Sequence, residues 1–281
     1  TAGSGGCPFF GIPTQGGNGG AICCLNGSSA LVSDSVIGQN SAGRGGASEY
    51  ASASNGGGGG GIYCDGSSDV EILRCAIVEN GAGGGRRGDV ASGIGSRGGG
   101  GGGIFSESLS DLRITDCTIC RNHSGQGGQG FRAGRSGDGG AIYCNSAIIV
   151  ACTISENWTY EGESTRRGAD SGDGGGIYCA GILEISDSNI MQNKTGRGGG
   201  SDSYKGGKGG DGGGIWADLV IASGCSFAAN TSGSGGSGTI HESGGDAGRG
   251  GAIFCREALL KNCEISGNAT GYGGSHMDFA G

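Results

Sequence analysis

The chain has 281 residues, 74 of them glycine and 2 proline, and its 18 basic against 26 acidic side chains give a net charge of −8. Glycine does not fall at every third position with proline, which excludes collagen. No basic stripe is present, which argues against nucleic acid and anionic membrane as partners, and no run approaches the ~20 apolar residues of a membrane-spanning helix. Hydrophobic residues make up only 34% of the chain, but they return at fixed places, and that regularity implies a thin ordered core.

In chain order, residues 1–18 read as an arm, the return half of a glycine-rich loop carrying Cys7, Phe9, Phe10 and Ile12. From Gly19 a phrase G-G-[A/G]-I begins, ending at Ile22, Ile62, Ile104, Ile142, Ile177, Ile215 and Ile253. Successive isoleucines are 40, 42, 38, 35, 38 and 38 residues apart, the mark of a repeat architecture. Each repeat closes on an apolar residue, two others and asparagine, at Asn40, Asn80, Asn122, Asn157, Asn193, Asn230 and Asn268. Ten and eight residues before each asparagine, and again five and three before it, stand small or apolar side chains: two period-two strands with a one-residue corner between them. The opening isoleucine and the residue two beyond it supply a third strand.

Three short strands per repeat, each stacked on its like at ~4.8 Å, predict an all-β, right-handed, single-stranded parallel β-helix. Residues 1–281 read as one solenoid domain, with seven coils over 19–268 and a C-terminal arm over 269–281. The 20 to 24 residues from each asparagine to the next isoleucine are rich in Gly, Ser, Arg and Asp. They read as long loops leaving one corner, either mobile or packed as a second layer of extended glycine strands. The residues after the opening isoleucines are Cys23, Tyr63, Phe105, Tyr143, Tyr178, Trp216 and Phe254. Strand alternation points this aromatic column outwards, to be covered by the loops or to serve as an interface for a partner chain or a sugar.

The paired phrases, Gly19-Gly20-Ala21-Ile22 with Ile37-Gly38-Gln39-Asn40 and Gly212-Gly213-Gly214-Ile215 with Phe227-Ala228-Ala229-Asn230, resemble the G-G-A-I / F-x-x-N repeat of polymorphic outer-membrane proteins, secreted adhesins with a right-handed β-helix passenger. The resemblance runs from Gly19 to Asn268 and implies a β-helix at the cell surface. In this chain the second phrase carries mostly isoleucine, and the loops are far richer in glycine.

Thirteen cysteines point to an oxidising, extracellular setting. The inward columns place Cys64 with Cys75, Cys144 with Cys152, and Cys255 with Cys263 inside single coils, as disulfide candidates. Cys179 and Cys225 are a diagonal candidate, and Cys7 pairs with Cys23 or Cys24. The alternative is stacked free thiols acting as small hydrophobes. The repeat asparagines read as a hydrogen-bonded ladder. Yet Asn122, Asn157, Asn193, Asn230, Asn268 and also Asn26 precede x-Ser/Thr, the N-glycosylation pattern, which a buried ladder asparagine cannot use.

Asp138, Asp173 and Asp211 each stand four residues before an opening isoleucine. Stacked carboxylates need compensation, by a calcium ladder or by hydrogen bonds from loop amides. Only Cys117-Thr118-Ile119-Cys120 has zinc-like spacing, and three scattered histidines supply no partner set. With no adjacent carboxylate pair and no repeated Ser/His/Asp order, enzyme chemistry is not expected, and a polysaccharide-cleaving β-helix enzyme ranks last. The leading expectation is an extracellular structural protein polymerising head to tail, the C-terminal arm of one chain and the N-terminal arm of the next together completing an inter-repeat loop. The alternative is a carbohydrate- or surface-binding adhesin that uses the aromatic column.

Overall fold

The structure, a computed structural model, describes residues 2–4, 13–47, 53–66, 68–88, 93–107, 112–239 and 241–276. All described strands pair in parallel, in three ladders of seven rungs each. The first rung uses Ile22–Cys24, Ser29–Ser33 and Val36–Gly38. The opening isoleucines lie in register from Ile22 to Ile253 along one ladder. This is the parallel β-helix expected from the repeat. In rungs five to seven the first two strands run on as one, as in Ile177–Ser186.

The inward columns fill the core. Ile62, Ile104, Ile142, Ile177 and Ile215 are fully buried, as are Ile77, Ile119, Ile154, Ile190 and Phe227 of the third ladder. Each rung covers the apolar face of the one beneath it, so burial comes from stacking rather than from any coil alone.

Every rung turns three corners, and each corner has its own left-handed residue. Six positions before the ladder asparagine these are Asp34, Arg74, Asp116, Ala151, Asp187, Gly224 and Asn262, with φ between 49° and 64°. One position before it they are Gln39, Glu79, Arg121, Glu156, Gln192, Ala229 and Gly267, with φ between 54° and 63°. The third corner is the first glycine of G-G-[A/G]-I, represented by Gly139 at φ 68°, and it admits nothing else. A Cβ there would lie 2.2 Å from the Ile142 carbonyl oxygen.

Where they are described, the inter-repeat stretches form the second layer of extended glycine strands. Each leaves the body as an outgoing arm and comes back as a return arm. One unbroken chain of N–H···O bonds links them: Gly137 to Gly125, Gly99, Gly83, Gly57, Gly43, Gly17 and Gly3, each 2.7–2.9 Å. Along the axis, like arms press backbone on backbone. A Cβ on Gly125 would sit 2.0 Å from the Gly83 oxygen, so the packing requires glycine and leaves Cα–H against carbonyl oxygen. The N-terminal arm holds both halves of such a loop rather than the return half alone. Ala2 N–H donates to Ser41 O as Ala42 N–H donates to Gly81 O, and Gly17 N–H closes on Gly3 O.

Candidate functional site

Four columns carry the side chains whose chemistry the repeat aligns. The asparagines form the expected ladder. The Asn122 side-chain amide donates to Ile77 O of the rung below at 2.9 Å and to Asn157 Oδ1 of the rung above at 3.1 Å. The same pattern runs from Asn80 to Asn230. Asn122, Asn157, Asn193 and Asn230 are buried, and both amide hydrogens are engaged, so the glycosylation reading is corrected at these four: a glycan would replace a ladder hydrogen and has no room. Asn268, on the last rung, is only half-buried, and Asn26 is exposed at a turn with φ 59°.

The expected disulfides are not formed. Cys23, Cys24, Cys64, Cys75, Cys117, Cys120, Cys144, Cys152, Cys179, Cys225, Cys255 and Cys263 are free thiols, and Cys7 lies outside the described residues. Thiols meet along the axis rather than across a coil: Cys24 with Cys64, Cys117 with Cys152, and Cys144 with Cys179. The column five before the asparagine has a hydrogen-bonding task instead. In all seven rungs its Ser or Cys donates to the carbonyl two residues earlier, from Ser35 Oγ to Ser33 O through Cys152 Sγ to Val150 O to Cys263 Sγ to Lys261 O. This bond closes the corner beside the left-handed residue, and it explains why Ser and Cys interchange there. Burial raises the Cys64 and Cys225 thiols, keeping them protonated.

The aromatic column is a stack. Ring centroids are 5.1 Å apart for Tyr63–Phe105, 4.6 Å for Phe105–Tyr143, 4.9 Å for Tyr143–Tyr178 and 4.5 Å for Tyr178–Trp216, all within 12° of parallel. Phe254 ends it, tilted, under the Arg249 guanidinium at 4.3 Å. The return arms cover it in part: a Cβ on Gly58 would meet the Phe105 ring at 2.8 Å, and one on Gly100 would meet Tyr143 at 3.1 Å. Burial pushes the Tyr63 and Tyr178 phenols up to about 12.

The aspartate column lies beside these rings and is a second ladder. Asp173 N–H donates to Asp138 Oδ1, Asp211 N–H to Asp173 Oδ1, and Arg249 N–H to Asp211 Oδ1, each 2.7 Å. The other carboxylate oxygens meet cations. Arg97 reaches Asp138 at 2.7 Å, Arg135 bridges Asp138 (Oδ2, 3.2 Å) and Asp173 (2.6 Å), and Lys208 and Arg249 hold Asp211 at 2.5 and 2.9 Å. The loop amides expected here are therefore present, and guanidinium and ammonium groups, which the sequence reading missed, supply the balancing charge. Among the described residues no group of three or more His, Cys, Asp or Glu side chains is placed to hold a metal ion.

The last rung shows what the solenoid leaves open. Leu260 is 40% and Ile265 52% exposed, whereas Ala222 and Phe227 beneath them are buried. The ladder is also polar: each asparagine donates to the Oδ1 of the next, from Asn40 to Asn268, so among the described residues Asn40 Oδ1 receives no asparagine from below and Asn268 N–H meets none above. Comparison with family models, curated proteins and solved structures returns no match.

Proposed function

We propose that the chain is an extracellular structural protein whose subunits stack end to end into a filament. The observation that carries this reading is the complementarity of the two ends. The last described rung presents exposed Leu260 and Ile265 together with the Asn268 main-chain N–H, the group that on the rung below donates to an asparagine Oδ1, and the first presents half-buried Ile22 and Val32 with the Asn40 Oδ1 acceptor. Stacking the first rung of one copy on the last of another continues every ladder in register, and such a head-to-tail contact does not close on itself. With the disulfides gone, the extracellular setting rests on the resemblance of the repeat phrases to surface adhesins.

One part of the expected junction changes. Ser232 N–H donates to Ala269 O in the pattern that Ala2 N–H repeats with Ser41 O. Residues 2–4 and 270–272 therefore hold equivalent lattice positions and cannot both keep them at a junction. The two arms compete rather than complete one loop, so one of them must yield at the junction. Negative-stain electron microscopy of the purified chain tests the reading. Unbranched fibres with a ~4.8 Å repeat along the axis are expected; monodisperse short particles at every concentration and salt condition would remove it.

A further inference from the structure

A furrow runs along the side of the solenoid, past the ladder asparagines, and nothing so far has given it a role. It consists of two hollows of about 440 and 740 Å³ that share Gln126 and Tyr160 as lining residues. It extends from Ser41 on the first rung to Ser234 on the sixth, which at ~4.8 Å per step is about 24 Å. Its floor is small because the positions two and three past each asparagine are mostly Ala, Ser, Thr or Gly. Tyr160 is the exception, standing where the other six rungs carry glycine.

Tyr160 belongs to an aromatic cluster. His123 packs on Trp158 with centroids 5.1 Å apart and a 31° tilt, and meets Tyr160 edge-on at 5.2 Å. Trp158 is half-buried and lines the larger hollow. The rim is cationic: Arg44, Arg86, Arg87, Lys194 and Arg197 against Glu161 and Glu163, in a chain whose net charge is −8. Glu163 is already held by Gln126 and Gln129, at 2.6 and 3.1 Å. The floor offers no free backbone edge. Gly83 N–H is bonded to Gly57 O, Gly125 N–H to Gly99 O, and Gly196 N–H to Thr159 Oγ1. A peptide therefore has no strand to extend, and a ligand must be held by side chains.

We infer that this furrow binds an acidic polysaccharide lying along the solenoid axis. A sugar ring packs its apolar face on Trp158, and its carboxylate or sulfate groups meet the arginine and lysine rim. The furrow is on the flank, so this inference is independent of end-to-end assembly, and it places saccharide recognition away from the partly covered column of Tyr63 to Phe254.

The test is calorimetric titration of the full chain with hexagalacturonate, with cellohexaose and a six-nucleotide oligothymidylate as competitors in class. A Trp216→Phe background leaves Trp158 as the sole tryptophan, read by excitation at its red edge. Expected are saturable binding that weakens with salt, a change in Trp158 emission, and at least about tenfold weaker affinity in Trp158→Ala. Arg197→Ala is expected to weaken binding and flatten its salt dependence. The inference is overturned by no binding at millimolar ligand, by unchanged affinity in Trp158→Ala, or by equal affinity for cellohexaose or oligothymidylate. If Trp158→Ala loses its β-sheet circular dichroism, Arg197→Ala and Trp158→Phe decide the matter by the same criteria.

Discussion

The β body and the glycine layer share one rise per rung but bury their backbones by opposite means. In the body, side chains such as Ile142 and Phe227 fill the interior, and the strands pair with the rungs above and below. In the layer there is nothing to fill: Gly57, Gly83, Gly99 and Gly125 bond sideways through N–H groups and press together along the axis. The first region is specified by what its side chains are, the second by their absence. A methyl group is therefore a loss when deleted from one and when added to the other.

The largest effect is expected from adding an atom to the layer. Gly125→Ala puts a Cβ 2.0 Å from a carbonyl held in place by its own bonds, and should lower stability by 3 kcal/mol or more, above the ~1–3 kcal/mol usual for overpacking. Its control is Gly84→Ala, where the nearest atom is 3.7 Å away; a comparable fall in melting temperature there would break the contrast. Deletion in the body comes next: Ile142→Ala should cost about 2–5 kcal/mol by denaturant unfolding. Asn157→Ala removes the acceptor of Asn122 N–H and the side-chain donor to the Ile119 carbonyl, a loss of about 1–3 kcal/mol for the buried N–H left unpaired, and local hydrogen exchange around rungs three to five would report it.

Smaller and pH-dependent is Asp211→Asn. Burial alone would raise the Asp211 pKa, but hydrogen bonds from Arg249 and Lys208 overcome it and hold the carboxyl below its ordinary value. Its contribution is present above the unfolded value of about 4 and is lost as pH falls through the lower folded value. The variant should thus be less stable at pH 7, by about 1–3 kcal/mol, and the gap should close in strong acid. Asp173 has the opposite sign. Burial raises it, against the pull of Arg135, so its stabilising contribution belongs to low pH and disappears as pH rises through the folded value. Asp173→Asn is expected to be neutral or slightly stabilising at pH 7, and thermal melts from pH 3 to 7 check both variants. Smallest is Ala151→Gly at an exposed corner with φ 53°, expected to raise stability by about 1 kcal/mol.

The β body was legible because its signal is hydrophobic and periodic. Ile22 to Ile253 and Asn40 to Asn268 mark two strands and a corner by spacing alone, since inward columns must be apolar and stack like on like. The cysteine columns misled for a reason that spacing cannot carry. Ser35 and Ser188 occupy the same column as Cys75 and Cys152, and the property they share is a hydrogen to donate at the corner, not a sulfur to oxidise. The aspartate ladder was half visible: the carboxylates align by counting, but Arg135 and Lys208 come from the position three earlier, and Arg97 reaches across from the preceding rung. Tyr160 had no periodic mark, being the one exception in a column of glycine, and Trp158 stands in a column (Ser41, Gly81, His123, Lys194) whose members share no property that spacing could reveal.

The glycine lattice also constrains how the protein can vary. Any replacement of Gly99 or Gly125 adds at least one heavy atom to a place already occupied by a neighbouring oxygen. Variation in that plate is confined to its rim, where Arg44, Gly84, Gln126 and Glu161 follow the glycine or tyrosine of the first four outgoing arms. The surface a partner meets can change there while the sheet of bare backbone behind it stays fixed.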